Sequence, residues 1–159
     1  MLDDRLFRTA MGKFTTGVTI ITAQVGEDVR GMTANAFMSV SLEPKLILVS
    51  VDRKATMNSY IEGSGEFAVS ILNDQQQDMS AYFAGQINDE RSINFEWFQG
   101  VPTVQGAIVR LICNVYTMTE AGDHILYVGQ VKDLQVEDGD PLVFYGGEYR
   151  QVIDRIKAE

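Results

Sequence analysis

The sequence is poor in the residues on which several common kinds of site depend. Its 159 residues contain one cysteine and one histidine. A single cysteine excludes an internal disulfide, and these two residues cannot supply the usual ligands of a zinc site. A serine or cysteine triad would need His124 as its base, and nothing in the sequence places a nucleophile beside it. We therefore expect no metal site, and an inert, buried thiol at Cys113, whose neighbours are apolar.

Positive charge is also scarce. The chain has 13 lysine and arginine residues against 22 aspartate and glutamate residues, a formal net charge of -9. Nucleic acid is therefore an improbable ligand, because binding to its phosphates requires dense basic patches. An anionic small molecule would need local positive charge and well-placed backbone donors.

Long apolar runs are missing as well. No stretch approaches the length of a membrane span, and the first residues lack a cationic and then apolar signal pattern. We expect no membrane contact and a cytoplasmic location. The length suits a single domain over residues 1–159, so an active site must use one core or a subunit interface.

Most of the patterns that the sequence does contain are typical of β-strands. Apolar spacing near 3.6 predicts a helix within residues 2–14, beginning after Asp3 or Asp4. A hairpin is predicted at residues 26–28, and two further short helices at 56–61, stopped by Gly63, and at 74–84, capped by Asn73 or Asp74. Apolar and β-branched runs predict strands beginning at Val18 and Val29 and over residues 46–51, 67–72, 104–116, 125–136 and 142–145. Six or seven strands with few helices favour a mainly β, antiparallel barrel over a doubly wound sheet.

Residues 63–68 formally match the dinucleotide pattern G-x-G-x-x-A. That pattern binds pyrophosphate only when it follows a strand and opens a helix. Here a predicted helix precedes the glycines and a strand follows them, so we interpret the segment as a turn.

The segment from Gly31 to Ser41 mixes strand-forming residues with small hydroxyl and amide side chains. Such a stretch lets a flat ligand approach the backbone, while threonine, asparagine and serine supply hydrogen bonds. An isoalloxazine ring, with its polar edge and apolar faces, has these requirements. From the residues alone, an ordinary strand with one polar face explains the segment equally well.

Several motifs occur in order over nearly the whole chain. They are residues 14–22 (FTTGVTIIT), 31–37 (GMTANAF), 39–42 (SVSL), 48–51 (LVSV), 67–72 (FAVSIL), 83–85 (FAG), 122–124 (GDH) and 141–145 (PLVFY). Together they resemble one known family, the split-barrel flavin reductases, which include the reductase components of two-component flavin monooxygenases.

The resemblance implies a six- or seven-stranded antiparallel split β-barrel that binds a flavin, FMN or FAD, and oxidises NADH or NADPH. It also implies a homodimer with flavin sites near the subunit interface, and a partner monooxygenase that receives reduced flavin. Two rivals stay open: a flavin-binding electron carrier or storage module without nicotinamide turnover, and an interaction domain that keeps only the fold.

The same resemblance assigns flavin-binding roles to four segments. The ring would lie along residues 33–41 beside the end of a neighbouring strand, the phosphate near a lysine and two hydroxyls, and an aromatic segment would close the site. The residues are Met32, Thr33, Ala34, Asn35, Ser39 and Ser41; Ser50, Val51 and Asp52; Lys54, Thr56 and Ser59; and Phe83 and Ala84. Without the resemblance, Lys54 is an ordinary surface lysine.

The resemblance also places His124, in the Gly-Asp-His turn, near the nicotinamide. Its expected role is to orient the carboxamide or the adjoining phosphate, since hydride transfer needs no protein nucleophile. Tyr149 is a weaker candidate for stacking there, because a tyrosine on a terminal strand is more often a packing residue. Two departures from the family pattern are Glu43-Pro44-Lys45, where two prolines are common, and Met38 within the flavin segment, which could alter the pocket wall.

Overall fold

The computed structural model describes residues 2–87 and 92–153. Most elements are strands. The helices are α1 Asp4–Met11, α2 Met57–Ser64 and α3 Gln77–Phe83. The strands are β1 Thr16–Gly17, β2 Thr19–Val25, β3 Asp28–Ala34, β4 Phe37–Leu42, β5 Lys45–Asp52, β6 Glu66–Ile71, β7 Phe95–Phe98, β8 Val101–Val104, β9 Val109–Ala121, β10 His124–Val136, β11 Val143–Tyr145 and β12 Glu148–Arg150.

The main sheet has seven antiparallel strands in the order β3-β2-β6-β9-β10-β5-β4. Its two edge strands, β3 and β4, follow one another in the chain and are joined only by Asn35 and Ala36. Two residues cannot cross the width of a flat seven-stranded sheet, so the sheet must roll until its edges meet. β3 also contacts β5, next to the other edge. Asn35 therefore lies at the seam of a barrel.

Side chains that alternate along β5 and β10 fill the inside of this barrel. The largest fully buried side chains include Tyr127, Phe67, Met57 and Ile61, the last two from α2, which packs against the barrel core. Burial of each apolar side chain of this size contributes about 1.5–3 kcal/mol. Gly129 leaves room for Phe67, since a Cβ there would lie 2.6 Å from its Cζ.

A second cluster lies on the outer face of β2. Val18, Ile20, Leu72 and Leu142 are buried there, and side chains of α3, β11 and β12 pack over them. β1, β11 and β12 form a small sheet of their own, in which Thr16 pairs with Phe144. This outer cluster positions α3 and β12 beside the seam.

The strongest sequence patterns are confirmed. Helix α1 begins after Asp3, whose carboxylate accepts a hydrogen bond from Arg5 N at 3.1 Å. The β2–β3 hairpin turns at residues 26–27, with Gly26 in the left-handed region. The architecture is mainly β and antiparallel, as predicted. Cys113 is buried in the core, and burial with a smaller effect of Glu66 raises the pKa of its thiol to about 12.

Several predicted boundaries are wrong. Gly63 does not stop α2, which continues to Ser64 and ends at Gly65, a residue with a φ of 68°. Helix α3 begins at Gln77, because the side chain of Asn73 accepts a hydrogen bond from Gln75 N in a preceding turn. The run predicted at 104–116 begins too early and ends too soon: Val104 is the last residue of β8, and β9 extends from Val109 to Ala121. As predicted, residues 63–65 lead from a helix into a strand and cannot present a helix N-terminus to a pyrophosphate.

Candidate functional site

A pocket of about 160 Å³ lies beside the seam. It is formed where the end of β3 meets α3 and the small sheet. The lining residues are Val18, Thr33, Ala34, Asn35, Ser80, Ala84, Gln86, Phe144 and Tyr149. Four of the predicted flavin-binding residues, together with Tyr149, are therefore brought to one place.

Hydrogen bonds and a close contact hold α3 over β3. The hydroxyl of Thr33 donates to the carbonyl oxygen of Ser80 at 2.7 Å, and Ser80 Oγ lies 2.9 Å from Tyr149 Oη. Below them the ring of Phe83 lies against the backbone of Gly31. The Thr33 hydroxyl hydrogen is thus already used, and that oxygen can only accept a further hydrogen bond.

A second pocket, of about 320 Å³, also includes Asn35. It is lined by the segment that enters the barrel and by the start of β4: Phe14, Thr15, Thr16, Gly17, Thr19, Asn35, Phe37 and Ile71. The side chain of Asn35 is exposed between the two pockets. We refer to both pockets together as the Asn35 groove.

Among the described residues that line the groove, one buried side-chain atom has no partner. Thr16 Oγ1 is buried and has no hydrogen bond to any described residue. A buried hydroxyl left unpaired costs about 1–3 kcal/mol, so a polar ligand atom there would be stabilising. Thr16 Oγ1 and the exposed carboxamide of Asn35 offer hydrogen bonds, and the apolar side chains of Phe37 and Phe144 form the walls of the groove. This arrangement fits a flat ring with one polar edge.

A more polar surface follows β5. The last residue of β5 and the turn that follows it, residues 52–56, are called here the 52–56 loop, and Lys54 in it is exposed. The carboxylate of Asp52 accepts a hydrogen bond from Lys54 N at 2.7 Å, and Arg53 N donates to Asp123 O at 3.0 Å. The side chain of Arg53 pairs with Glu120 at 3.2 Å. Of these two cations, Arg53 is therefore engaged with a carboxylate, while Lys54 is exposed beside the loop.

His124 begins β10, directly opposite Asp52 in the ladder. Its Nδ1 lies 2.8 Å from Asp123 Oδ1. Because an ionised carboxylate only accepts, Nδ1 carries the hydrogen and Nε2 is left for another group. The hydrogen bond from His124 is the main cause that lowers the pKa of Asp123, followed by a backbone hydrogen bond and the charges of His124 and Lys54.

Strand register brings three of the predicted segments together. Ser50 N donates to Ala36 O at 3.1 Å, which ties β5 to the seam next to Asn35. Ser50 pairs with Leu126, two residues beyond the pair formed by Asp52 and His124. The seam, the end of β5 and His124 therefore lie one after another along the same part of the sheet.

Other predicted residues are placed differently. Ser39 and Ser41 lie on β4, where the register shifts between them, and line neither pocket of the Asn35 groove. The side chain of Val51 is fully buried and Met32 packs against the core, so their side chains serve the barrel. Tyr149 lies in the Asn35 groove, whereas His124 lines neither of its pockets.

The sequence reasoning missed part of the groove. Thr15, Thr16, Ser80 and Phe144 line it but were given no role. Thr15 and Thr16 stood within a recognised motif, and two adjacent hydroxyls before a strand were the available signal. Phe144 also stood within a recognised motif, residues 141–145, but nothing in that motif placed it beside Asn35. Ser80 gave no signal, because only the packing of α3 brings it to the seam.

Among residues 2–87 and 92–153, no group of three or more histidine, cysteine, aspartate or glutamate residues could hold a metal ion. In the same ranges, every helix is too short or too polar to cross a membrane.

Comparison with known proteins decides the family. The model of the flavin reductase like domain matches residues 11–152. The chain belongs to this family. This flavin reductase family member is 47% identical over 148 residues to an NADH-dependent flavin reductase of Rhodococcus, covering 91% of this chain and 84% of that one. It is 38% identical to the reductase component of 4-hydroxyphenylacetate 3-monooxygenase of Thermus thermophilus, and the match covers 92% of this chain and 95% of that one.

Solved structures agree with the fold. The flavin reductase PheA2 superposes with a TM-score of 0.94 at 48% identity, covering 96% of this chain and all of that one. The flavin reductase of a styrene monooxygenase from Pseudomonas putida S12 gives a TM-score of 0.87 at 32% identity, and the match covers 94% of this chain and 99% of that one. The predicted split barrel of a flavin reductase is thereby confirmed.

Proposed function

We propose that this protein is an NAD(P)H-dependent flavin reductase that transfers a hydride from a nicotinamide dinucleotide to FMN or FAD. The observation that carries the proposal is the Asn35 groove, with its apolar walls and the unpaired hydroxyl of Thr16, in a chain of the flavin reductase family. Relatives named as NADH-dependent flavin and FMN reductases support the same activity.

The flavin, when bound, supplies the redox chemistry, and the protein supplies position and electrostatics. Asn35 and Thr16 would hydrogen-bond the polar edge of the ring, while Phe37 and Phe144 exclude water from its faces. The proposed contribution of Thr33 is its oxygen as an acceptor, because its hydrogen is donated to Ser80.

The 52–56 loop is the proposed site for the ribityl phosphate. Lys54 offers a charge and Thr56 a hydroxyl, both exposed. Ser59 is the weaker donor, since its hydroxyl already donates to Thr56 O at 2.8 Å. A lysine pairs with phosphate as a point charge, so this contact should weaken as salt is added.

For His124 we propose the role of orienting the nicotinamide carboxamide or the adjoining phosphate. Nδ1 is held by Asp123, which directs Nε2 away from that carboxylate and toward a ligand. Tyr149 is proposed to contact the ring in the Asn35 groove rather than to stack beside His124, because it lines that groove.

We also propose a homodimer. Helix α1 exposes Leu6, Phe7 and Met11, and the edge strand β4 exposes Met38 and Val40. Exposed apolar surface of this kind is usually buried in an assembly. Light scattering on the purified protein would give twice the mass of the 17.7 kDa chain; a mass of one chain at all concentrations would contradict the dimer.

Delivery of reduced flavin to a monooxygenase is part of the proposal, supported by relatives named as reductase components of such enzymes. The cytoplasmic location stays a prediction from the sequence.

Steady-state oxidation of NADH and NADPH, each with FMN, FAD and riboflavin, tests the activity and reveals both preferences. We expect turnover that depends on added flavin. Tight flavin binding without dinucleotide oxidation would instead indicate the carrier or storage module, and absence of flavin binding would indicate an interaction domain.

The variant His124→Ala tests the nicotinamide site in the same assay. We expect a higher KM for the dinucleotide and an unchanged Kd for flavin. The matched control is Lys132→Ala, a cation on β10 that pairs with Glu66 elsewhere on the sheet. If His124→Ala and Lys132→Ala both retain the wild-type KM, His124 has no role in binding the donor.

A further inference from the structure

The 52–56 loop rests on a buried polar side chain. Asn58, in the first turn of α2, is 8% exposed. Its Nδ2 donates to two carbonyl oxygens of the loop, Asp52 O at 2.8 Å and Ala55 O at 3.0 Å. These two hydrogen bonds join the first and fourth residues of the loop to one side chain.

The other end of the carboxamide is held from the core. Tyr127, on β10 and fully buried, places its hydroxyl 3.0 Å from Asn58 Oδ1 and 3.1 Å from Glu62 Oε1. Burial, with smaller contributions from the hydrogen bond and charge of Glu62, raises the pKa of Tyr127 to about 12. The hydroxyl therefore stays protonated, and its one hydrogen is shared between Asn58 Oδ1 and Glu62 Oε1.

Chemistry fixes the orientation of the amide. The two loop carbonyls can only accept, so the NH₂ group must face them and Oδ1 must face Tyr127. A reversed amide would set its oxygen against the two carbonyl oxygens with no hydrogen between them. The orientation of the Asn58 amide between Tyr127 and the loop is thus determined.

We infer that Asn58, oriented by Tyr127, is a positioning residue that fixes the 52–56 loop in the conformation that binds the flavin phosphate. The inference rests on the proposed function, in which Lys54 and Thr56 of this loop contact the phosphate. Asn58 acts through the loop backbone and touches no ligand itself. A loop held in advance binds without first losing conformational freedom, so loss of this support should weaken phosphate binding.

The test compares two flavins that differ in the phosphate alone. Kd values for FMN and riboflavin are measured by flavin fluorescence for wild type, Asn58→Ala and Asn58→Leu, at a temperature where all are folded. The leucine keeps most of the volume without the amide. We expect Kd for FMN to rise about tenfold in both variants, as for a lost hydrogen bond, while Kd for riboflavin stays unchanged.

Two further variants separate positioning from stability. Tyr127→Phe removes only the hydroxyl and should raise Kd for FMN about threefold, since the amide keeps its loop contacts but loses its orienting donor. The control is Ser70→Ala, which removes a buried hydroxyl that accepts from Val104 N at 3.0 Å, away from the loop. Ser70→Ala should lower the Tm without any change in either Kd.

Each other result overturns the inference. If Asn58→Ala lowers the Tm but keeps the wild-type Kd for FMN, Asn58 is merely structural. If both flavins weaken equally, Asn58 acts on the ring site and not on the phosphate loop. A wild-type protein that binds FMN no better than riboflavin overturns the phosphate site itself along with Asn58, whereas a wild type that prefers FMN leaves the proposed function standing when Asn58 fails.

Discussion

The ring of Phe83 occupies the space where a side chain at Gly31 would be. A Cβ built on Gly31 would lie 2.3 Å from Cε1 and 2.6 Å from Cδ1 of that ring. Contacts of this kind do not occur between real atoms, so β3 and α3 can pack as they do only because residue 31 is glycine. Since α3 supplies Ser80 to the Asn35 groove and its C-cap residue supplies Ala84, the glycine at position 31 affects the width of the groove through the position of α3.

We therefore expect Gly31→Ala to displace Phe83 and α3. Overpacking of this type costs about 1–3 kcal/mol in the free energy of unfolding, which urea denaturation measures. Flavin affinity should fall as well, because the groove wall moves. In a Phe83→Ala background the same alanine should cost much less, and equal costs in both backgrounds would contradict the steric explanation.

Lys54 and Arg53 are adjacent cations with different surroundings, which makes them a matched pair. Arg53 pairs with Glu120, whereas Lys54 is exposed beside the proposed phosphate site. Lys54→Ala should raise Kd for FMN about fivefold at low salt and leave Kd for riboflavin unchanged. Arg53→Ala should change neither. Equal effects of the two substitutions on FMN would indicate general electrostatics and not a specific contact.

The hydrogen bond between His124 Nδ1 and Asp123 holds one edge of the imidazole ring. Asp123→Ala should raise the KM for the nicotinamide dinucleotide about twofold to threefold, less than His124→Ala, because an exposed pair contributes little. The pKa of Asp123 is lowered, so the pairing is complete above the ordinary value of 3.8 and is lost as the pH falls. Asp138→Ala, on an exposed loop, serves as the control. An unchanged KM in Asp123→Ala would remove this orienting role.

Alkaline pH should destabilise the fold. In the unfolded chain Cys113 and Tyr127 lose protons near their ordinary values of 9.0 and 10.0, but in the folded protein each pKa is raised to about 12. Between these values the unfolded state binds fewer protons, so the free energy of unfolding falls as the pH rises. Denaturation at a series of pH values measures the slope, which should be shallower in Cys113→Ala; an identical slope would contradict the contribution of the thiol.

The elements that could be predicted from the sequence are those with a local signal. Helix α1 has its cap and its periodicity in one stretch, and the β2–β3 hairpin has a glycine turn between β-branched runs. Strand β7 was missed, because its four residues are stabilised mainly by pairing with β8, in which Pro102 weakens the strand pattern. Gly63 was misread as a helix stop because its backbone is helical and only Gly65 adopts the left-handed conformation.

The residues of the candidate site also divide into those with a local sequence signal and those without one. Residues 31–41 stood out by composition, and the resemblance to the family drew attention to residues 33–35 within them and to His124. Their companions could not be named in advance, because Thr16 meets Phe144 only through the pairing of β1 with β11, and Ser80 meets Thr33 only through the packing of α3. Contacts across such sequence distances leave no pattern in a single chain.

One backbone hydrogen bond, from Arg53 N to Asp123 O, connects the loop proposed for the flavin phosphate with the turn that carries His124. If bound flavin restrains the first segment further, it also restrains the second, and the two ligands then share a coupling free energy. Such linkage is reciprocal: the factor by which flavin tightens the dinucleotide is the factor by which the dinucleotide tightens flavin. Departure of reduced flavin would then loosen the hold on the spent donor, so the release of one product would favour the release of the other.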